Sequence, residues 1–113
     1  MVEINTSKIH GRGVFALTNI PKGTELICDV ILFNNNVKEL YKWSFPWDKN
    51  YFSICMGFGS FFNHSDLHNV KIKRIDKNKL TKTFKLIKDV VKGEELFLNY
   101  GKHFTKNINE MLV

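Results

Sequence analysis

Asn63, His64 and Ser65 stand side by side at the end of an apolar, glycine-broken run, Gly57-Phe58-Gly59-Ser60-Phe61-Phe62. Three hydrogen-bonding side chains placed directly after two phenylalanines cannot enter a core unpartnered, because each unpaired polar group costs on the order of a few kcal/mol. Something polar must meet them, and a ligand is the expected occupant. Asn63 carries an amide oxygen able to accept from a cationic donor. A hydrolase built on His64 and Ser65 is disfavoured, since adjacent strand residues point to opposite faces and rarely make a nucleophile–base pair. Gly11-Arg12-Gly13 is a second candidate: two glycines allow a bend or a close backbone approach that side chains would block. On its own, that triplet reads first as an ordinary glycine turn.

The rest of the chain must position these residues. Its 113 residues fit one domain, 1–113. A hydrophobic share of 43% supports a real core and argues against disorder. No apolar run approaches the ~20 residues of a membrane helix, and Met1-Val2-Glu3-Ile4-Asn5 lacks the pattern of a secretion signal. The expected location is intracellular, in the cytoplasm or nucleus of the (host) cell. Two cysteines, Cys28 and Cys55, are too few for a disulfide framework or a four-cysteine zinc site. They are expected as buried free thiols, with no metal site. The net charge of +6 suits nucleic acid or acidic partners, but lysines spread from Val70 to Lys92 without a compact block read as a solvated strand face.

Short strands and Gly or Asn turns dominate. Val14-Phe15-Ala16 starts one strand, and Ile20-Pro21-Lys22-Gly23 forms a turn suited to a positive φ at Gly23. Leu26 to Phe33 is rich in β-branched residues and reads as a mostly buried strand. Val37 to Trp47 begins as a helical turn and becomes irregular at Pro46. Tyr51–Met56 and Val70–Ile75 are further strands, and Lys82 to Val91 reads as a strand pair. Val91-Lys92-Gly93-Glu94-Glu95-Leu96 repeats the earlier Lys-Gly-x-Glu-Leu turn. The pattern predicts a small, mainly β fold.

Three blocks in order resemble the SET domain, a family of S-adenosylmethionine-dependent protein-lysine methyltransferases. They are His10-Gly11-Arg12-Gly13-Val14-Phe15-Ala16, then Phe61-Phe62-Asn63-His64-Ser65 with Asn69 after it, then Gly93-Glu94-Glu95-Leu96 leading to Tyr100-Gly101. In size the chain is most similar to the minimal SET proteins of large DNA viruses. The resemblance implies a β-clip fold of small sheets with a knot-like crossing of the Asn-His-Ser and tyrosine segments. It also implies cofactor and substrate entering from opposite faces.

By the same resemblance, S-adenosylmethionine is held by Gly11, Arg12, Gly13, Asn63, His64 and Tyr100. Asn63 would accept from the cofactor's ammonium, and His64 would pair with adenine through its main chain while its ring locks the crossing. Ser65 is expected to be structural. Tyr100 is the catalytic candidate, and Phe62, Leu98 and Phe104 the expected substrate-binding residues. The implied substrate is a protein lysine, on a histone tail, with nucleosomal DNA contact and a homodimer as further expectations and no membrane role.

The chain departs from the family pattern in places. Asp66 and His68 stand where Cys and Pro are common, Asn99 replaces a common Asp, and no cysteine follows the tyrosine to build a zinc cluster. Leu98, two before the tyrosine, has no hydroxyl to hold a water in the way of repeated methylation. The alternatives are an inactive SET-like peptide- or cofactor-binding module and a small basic nucleic-acid-binding β-domain.

Overall fold

The computed structural model describes residues 1–34 and 36–99, apart from the side chains of Tyr41, Lys42, Trp43 and Pro46. Nine strands are present among them: β1 (Val2–Thr6), β2 (Arg12–Ala16), β3 (Glu25–Asn34), β4 (Ser44–Pro46), β5 (Tyr51–Cys55), β6 (Asn63–His64), β7 (Val70–Asp76), β8 (Thr81–Leu86) and β9 (Glu95–Leu98). They form two sheets, ordered β1-β2-β9-β6 and β4-β5-β3-β8-β7. Short 3-10 helices cover Lys38–Trp43 and Gly57–Ser60. The mainly β architecture agrees with the expectation.

Alternation along β3 decides where the core lies. Leu26, Cys28 and Val30 are buried, while Ile27 and Ile31 are 62% and 54% exposed. The apolar run is therefore a half-buried central strand and not the mostly buried one expected. Its inner face packs with Phe84 and Leu86 of β8 against Val14, Leu96 and Leu98 of the other sheet, in one hydrophobic cluster. Between Lys82 and Val91 only β8 is a full strand. The remainder contributes one bridge, Ile20 to Val90. The N-terminal strand β1 was not anticipated, and it pairs with β2 along its length. The Pro46 segment, read as irregular, forms the edge strand β4 against β5, where the missing proline N–H need not break a ladder.

The two similar Lys-Gly turns each tie the start of one strand to the end of its neighbour. Gly23 and Gly93 have φ of 93° and 92°, a region that favours glycine. Their N–H groups donate to Leu86 and Ala16 carbonyls, each at 2.8 Å. Asp89 accepts from the Lys22 N–H at 2.7 Å, and Asn19 does the same for Lys92 at 2.9 Å. Each turn thus starts a strand and bonds to the end of its neighbour in the same sheet, β3 to β8 and β9 to β2.

The crossing lies at β9. Its β6 neighbour runs parallel, with Asn63 opposite Phe97 and His64 opposite Leu98. Ser65 N–H donates to the Leu98 carbonyl at 2.9 Å, and Asn69 N–H donates to the Phe97 carbonyl at 3.2 Å. Successive peptide groups of a strand face opposite edges, so the chain between Ser65 and Asn69 passes from one edge of β9 to the other. Buried Asn69 fastens it there: its Oδ1 accepts from Phe97 N–H at 2.8 Å and its Nδ2 donates to the Glu95 carbonyl at 3.0 Å.

Candidate active site

Asn63 is gripped on its nitrogen side. Nδ2 donates to Glu95 Oε2 at 2.8 Å, to the His10 carbonyl at 3.0 Å and to the Arg12 carbonyl at 3.2 Å. All three neighbours are acceptors only, which settles which end of the amide faces them. Oδ1 is therefore turned the other way, and none of the described residues donates to it. An outward amide oxygen beside a carboxylate is a site for a cationic donor.

Glu95 is held in turn. Ser7 Oγ donates to its Oε1 at 2.7 Å, and Ser7 Oγ accepts from Ile9 N–H at 3.0 Å. Ser7 N–H closes the loop between β1 and β2 on the Gly11 carbonyl at 2.8 Å. The two glycines of the triplet serve different needs. Gly11 has a φ of 47° with open space around it, so its role is conformational. At Gly13 a Cβ would stand 2.3 Å from Glu95 Oε2 and 3.2 Å from Asn63 Nδ2. A bare α-carbon is what lets the carboxylate and the amide meet.

Arg12 is exposed at the start of β2, and only its main chain enters this network. The His64 ring lies at the surface, with Nε2 3.4 Å from Asp66 Oδ1. Asn69, part of the second motif block, is the side chain that fastens the crossing. Because Ser65 N–H bonds Leu98, the His64 peptide N–H turns away from β9. Ser65 Oγ accepts from Leu67 N–H at 3.0 Å, the structural role expected of it. Phe62 and Leu98 are 2% and 3% exposed, and the Phe62 ring centre lies 4.8 Å from that of Phe84. Tyr100 and Phe104 lie outside the described residues.

Glu95 and Ser7 are the site residues that sequence reasoning missed. Glu95 sits inside the third motif block, but a second acid after Gly93-Glu94 carries no local sign of what it holds. Ser7 is a lone serine before a loop.

The residues present fit S-adenosylmethionine. Its ammonium matches the outward Asn63 oxygen, its positive charge matches the adjacent Glu95, and the Gly11-Arg12-Gly13 backbone allows close approach.

Comparison with known proteins gives the same answer. The SET domain family model matches residues 11–101. A histone-lysine N-methyltransferase of Schizosaccharomyces pombe, specific for H3 lysine-37, is 32% identical over 110 residues, covering 90% of this chain and 74% of that protein. Among solved structures, a candidate histone methyltransferase of Plasmodium falciparum superposes with a TM-score of 0.78 at 26% identity, over 89% of this chain and 93% of that one. A chain of Polycomb Repressive Complex 2 bound to S-adenosylmethionine superposes with a TM-score of 0.74 at 23% identity, over 96% of this chain and 16% of that one. That last likeness speaks to the fold alone. The chain belongs to the SET domain family, the S-adenosylmethionine-dependent protein-lysine N-methyltransferases.

Proposed function

We propose that this protein methylates a lysine side chain of a histone. The observation that carries the reading is Asn63, whose amide nitrogen is tied to His10, Arg12 and Glu95 so that its oxygen faces outward. Asn63, the main chains of Gly11, Arg12, Gly13 and His64, and Tyr100 would hold the cofactor. When bound, S-adenosylmethionine supplies a methyl group on a positively charged sulfur.

A target lysine has a solution pKa of ~10.4 and arrives protonated. An apolar channel disfavours its ammonium and lowers that value. Tyr100 then orients the neutral amine's lone pair, so that acceleration comes from alignment and dry electrostatics. Phe62, Leu98 and Phe104 are the proposed walls on the substrate side. Leu98 has no hydroxyl to hold a blocking water, which favours more than one methylation. The Schizosaccharomyces pombe relative supports a histone substrate and hence action in the nucleus. The charge of +6 supports contact with nucleosomal DNA. A homodimer would let a second subunit help close the lysine channel.

The test is to incubate the protein with labelled S-adenosylmethionine and a histone mixture, with Tyr100→Phe as control and cofactor binding measured by calorimetry. Label on a histone that falls in Tyr100→Phe supports the enzyme. Cofactor binding without label above the control identifies a binding module instead.

A further inference from the structure

Lys82 breaks the pattern of the other lysines. Its side chain is fully buried at 0% exposure, its Nζ has no hydrogen-bond partner among the described residues, and it lies 4.1 Å from the centre of the Phe45 ring. An amine in such a place is costly unless something compensates its charge. The strand registers show what faces it. Cys28 of β3 is directly opposite Lys82 of β8. Cys55 of β5 is opposite Val30, which makes it the diagonal neighbour of Cys28 on the same inner face. Both thiols are free and buried. A methyl group placed at Gly59 would stand 2.6 Å from Cys28 Sγ and 3.1 Å from Cys55 Sγ, so the two sulfurs share one spot under that glycine.

We propose that Cys55, Cys28 and Lys82 form a peroxide-reactive redox site, in which the two thiols are reversibly oxidised to a disulfide. The Cys28 S–H donates to the Cys55 sulfur, and this bond together with the Lys82 charge holds the Cys55 thiol below its ordinary range. The same bond pushes Cys28 up. Burial brings Lys82 down to about 8, against the opposing pull of the two sulfurs. An ammonium without a hydrogen-bond partner among the described residues and a thiol already accepting a hydrogen bond are the components of an activated nucleophile.

The chemistry balances. The Cys55 thiolate attacks one oxygen of hydrogen peroxide, the O–O bond breaks, and the departing hydroxide takes a proton from Lys82 to leave as water. Cys55 is then a sulfenic acid and Lys82 a neutral amine. Lys82 takes the Cys28 proton, the Cys28 sulfur attacks the Cys55 sulfur, and the S–O bond breaks. The second hydroxide takes that proton back from Lys82 and leaves as water. Two thiols have lost two electrons and the peroxide has become two waters. Diagonal strand neighbours have Cα atoms roughly 7–8 Å apart, just beyond the ~7 Å that a relaxed disulfide spans. Closing the bond must therefore shift the end of β5, and a strained disulfide of this kind is easily reduced.

The test treats the folded, reduced protein with hydrogen peroxide and maps non-reduced peptides by mass spectrometry. A Cys28–Cys55 cross-link that dithiothreitol reverses is expected. In Cys28→Ala, dimedone should trap a sulfenic acid at Cys55, and Cys55→Ala should show none at Cys28. In Lys82→Met, oxidation should slow by about tenfold, because the thiolate loses the positive charge beside it. Absence of both cross-link and dimedone adduct, reaction only when denaturant is added, or an unchanged rate in Lys82→Met overturns the proposal. All readouts are on the thiols, so they stand apart from the test of methyl transfer.

Discussion

Asn63 donates its side-chain amide to Glu95 across 2.8 Å, joining two residues 32 apart in sequence. With the His10 and Arg12 carbonyls on the same nitrogen, that one amide draws all three motif blocks to a point. The contact is charge-assisted, and it aims the Asn63 oxygen without touching the ligand itself. Glu95 is thus a positioning residue.

Glu95→Gln should keep the fold and weaken the cofactor. An amide cannot accept from both Ser7 and Asn63, so one present bond is lost. Hydrogen bonds to charged groups contribute about 1.5–3 kcal/mol, which corresponds to a roughly tenfold or larger rise in Kd for S-adenosylmethionine by calorimetry. An unchanged Kd would mean that Glu95 does not hold Asn63.

The two neighbouring glycines should separate cleanly. Gly13→Ala forces the Glu95 carboxylate aside, and because that carboxylate is the far end of a flexible chain the fold survives. Cofactor affinity should fall with little change in Tm. Gly11→Ala meets no atom but strains a positive φ, costing about 1 kcal/mol of stability. Thermal melts and calorimetry on both variants give the comparison.

Asn69→Ala should act on the fold first. It removes the partners of Glu95 C=O and Phe97 N–H at a buried position. Two orphaned groups at about 1–3 kcal/mol each amount to a large share of a small domain's stability. Urea unfolding should show a midpoint well below that of the parent, and a parent-like midpoint would show that the crossing holds without Asn69.

Lys82→Met should stabilise the protein at neutral pH. The Lys82 pKa is lowered from 10.5 to about 8 in the folded state, chiefly by burial, with Cys55 and Cys28 opposing. Between those values the unfolded chain binds more protons, so parent stability rises with pH across this window. At about 1.4 kcal/mol per pKa unit, the whole window is worth about 3 kcal/mol. The advantage of Lys82→Met should be full below pH 8 and shrink towards pH 10.5. Urea unfolding of both proteins at several pH values checks it, and a pH-independent difference would contradict it.

Much of the local structure was legible from residue type. β-branched runs marked β3 and β7, and the helical turn after Val37 was legible, whereas the edge strand at Pro46 was not. Gly23 and Gly93 marked two turns whose positive φ the structure bears out. Cys28 and Cys55 were expected as buried thiols and are. Lys82 shows the limit of such reasoning. Its flanking pattern, Thr81-Lys82-Thr83-Phe84, does not reveal which face turns inward, because register against β3 and β7 makes that choice.

What the chain determined by itself is therefore local: strand and turn positions, and three short blocks whose order identifies the family. What only tertiary structure decided is which side chains meet. Glu95 as the anchor of Asn63, Asn69 as the fastener of the crossing, and Lys82 beside two thiols all rest on contacts between distant strands. Periodicity and propensity act over a few neighbouring residues, whereas these contacts exist because β9 is wrapped by the segment that carries Asn63 and Asn69.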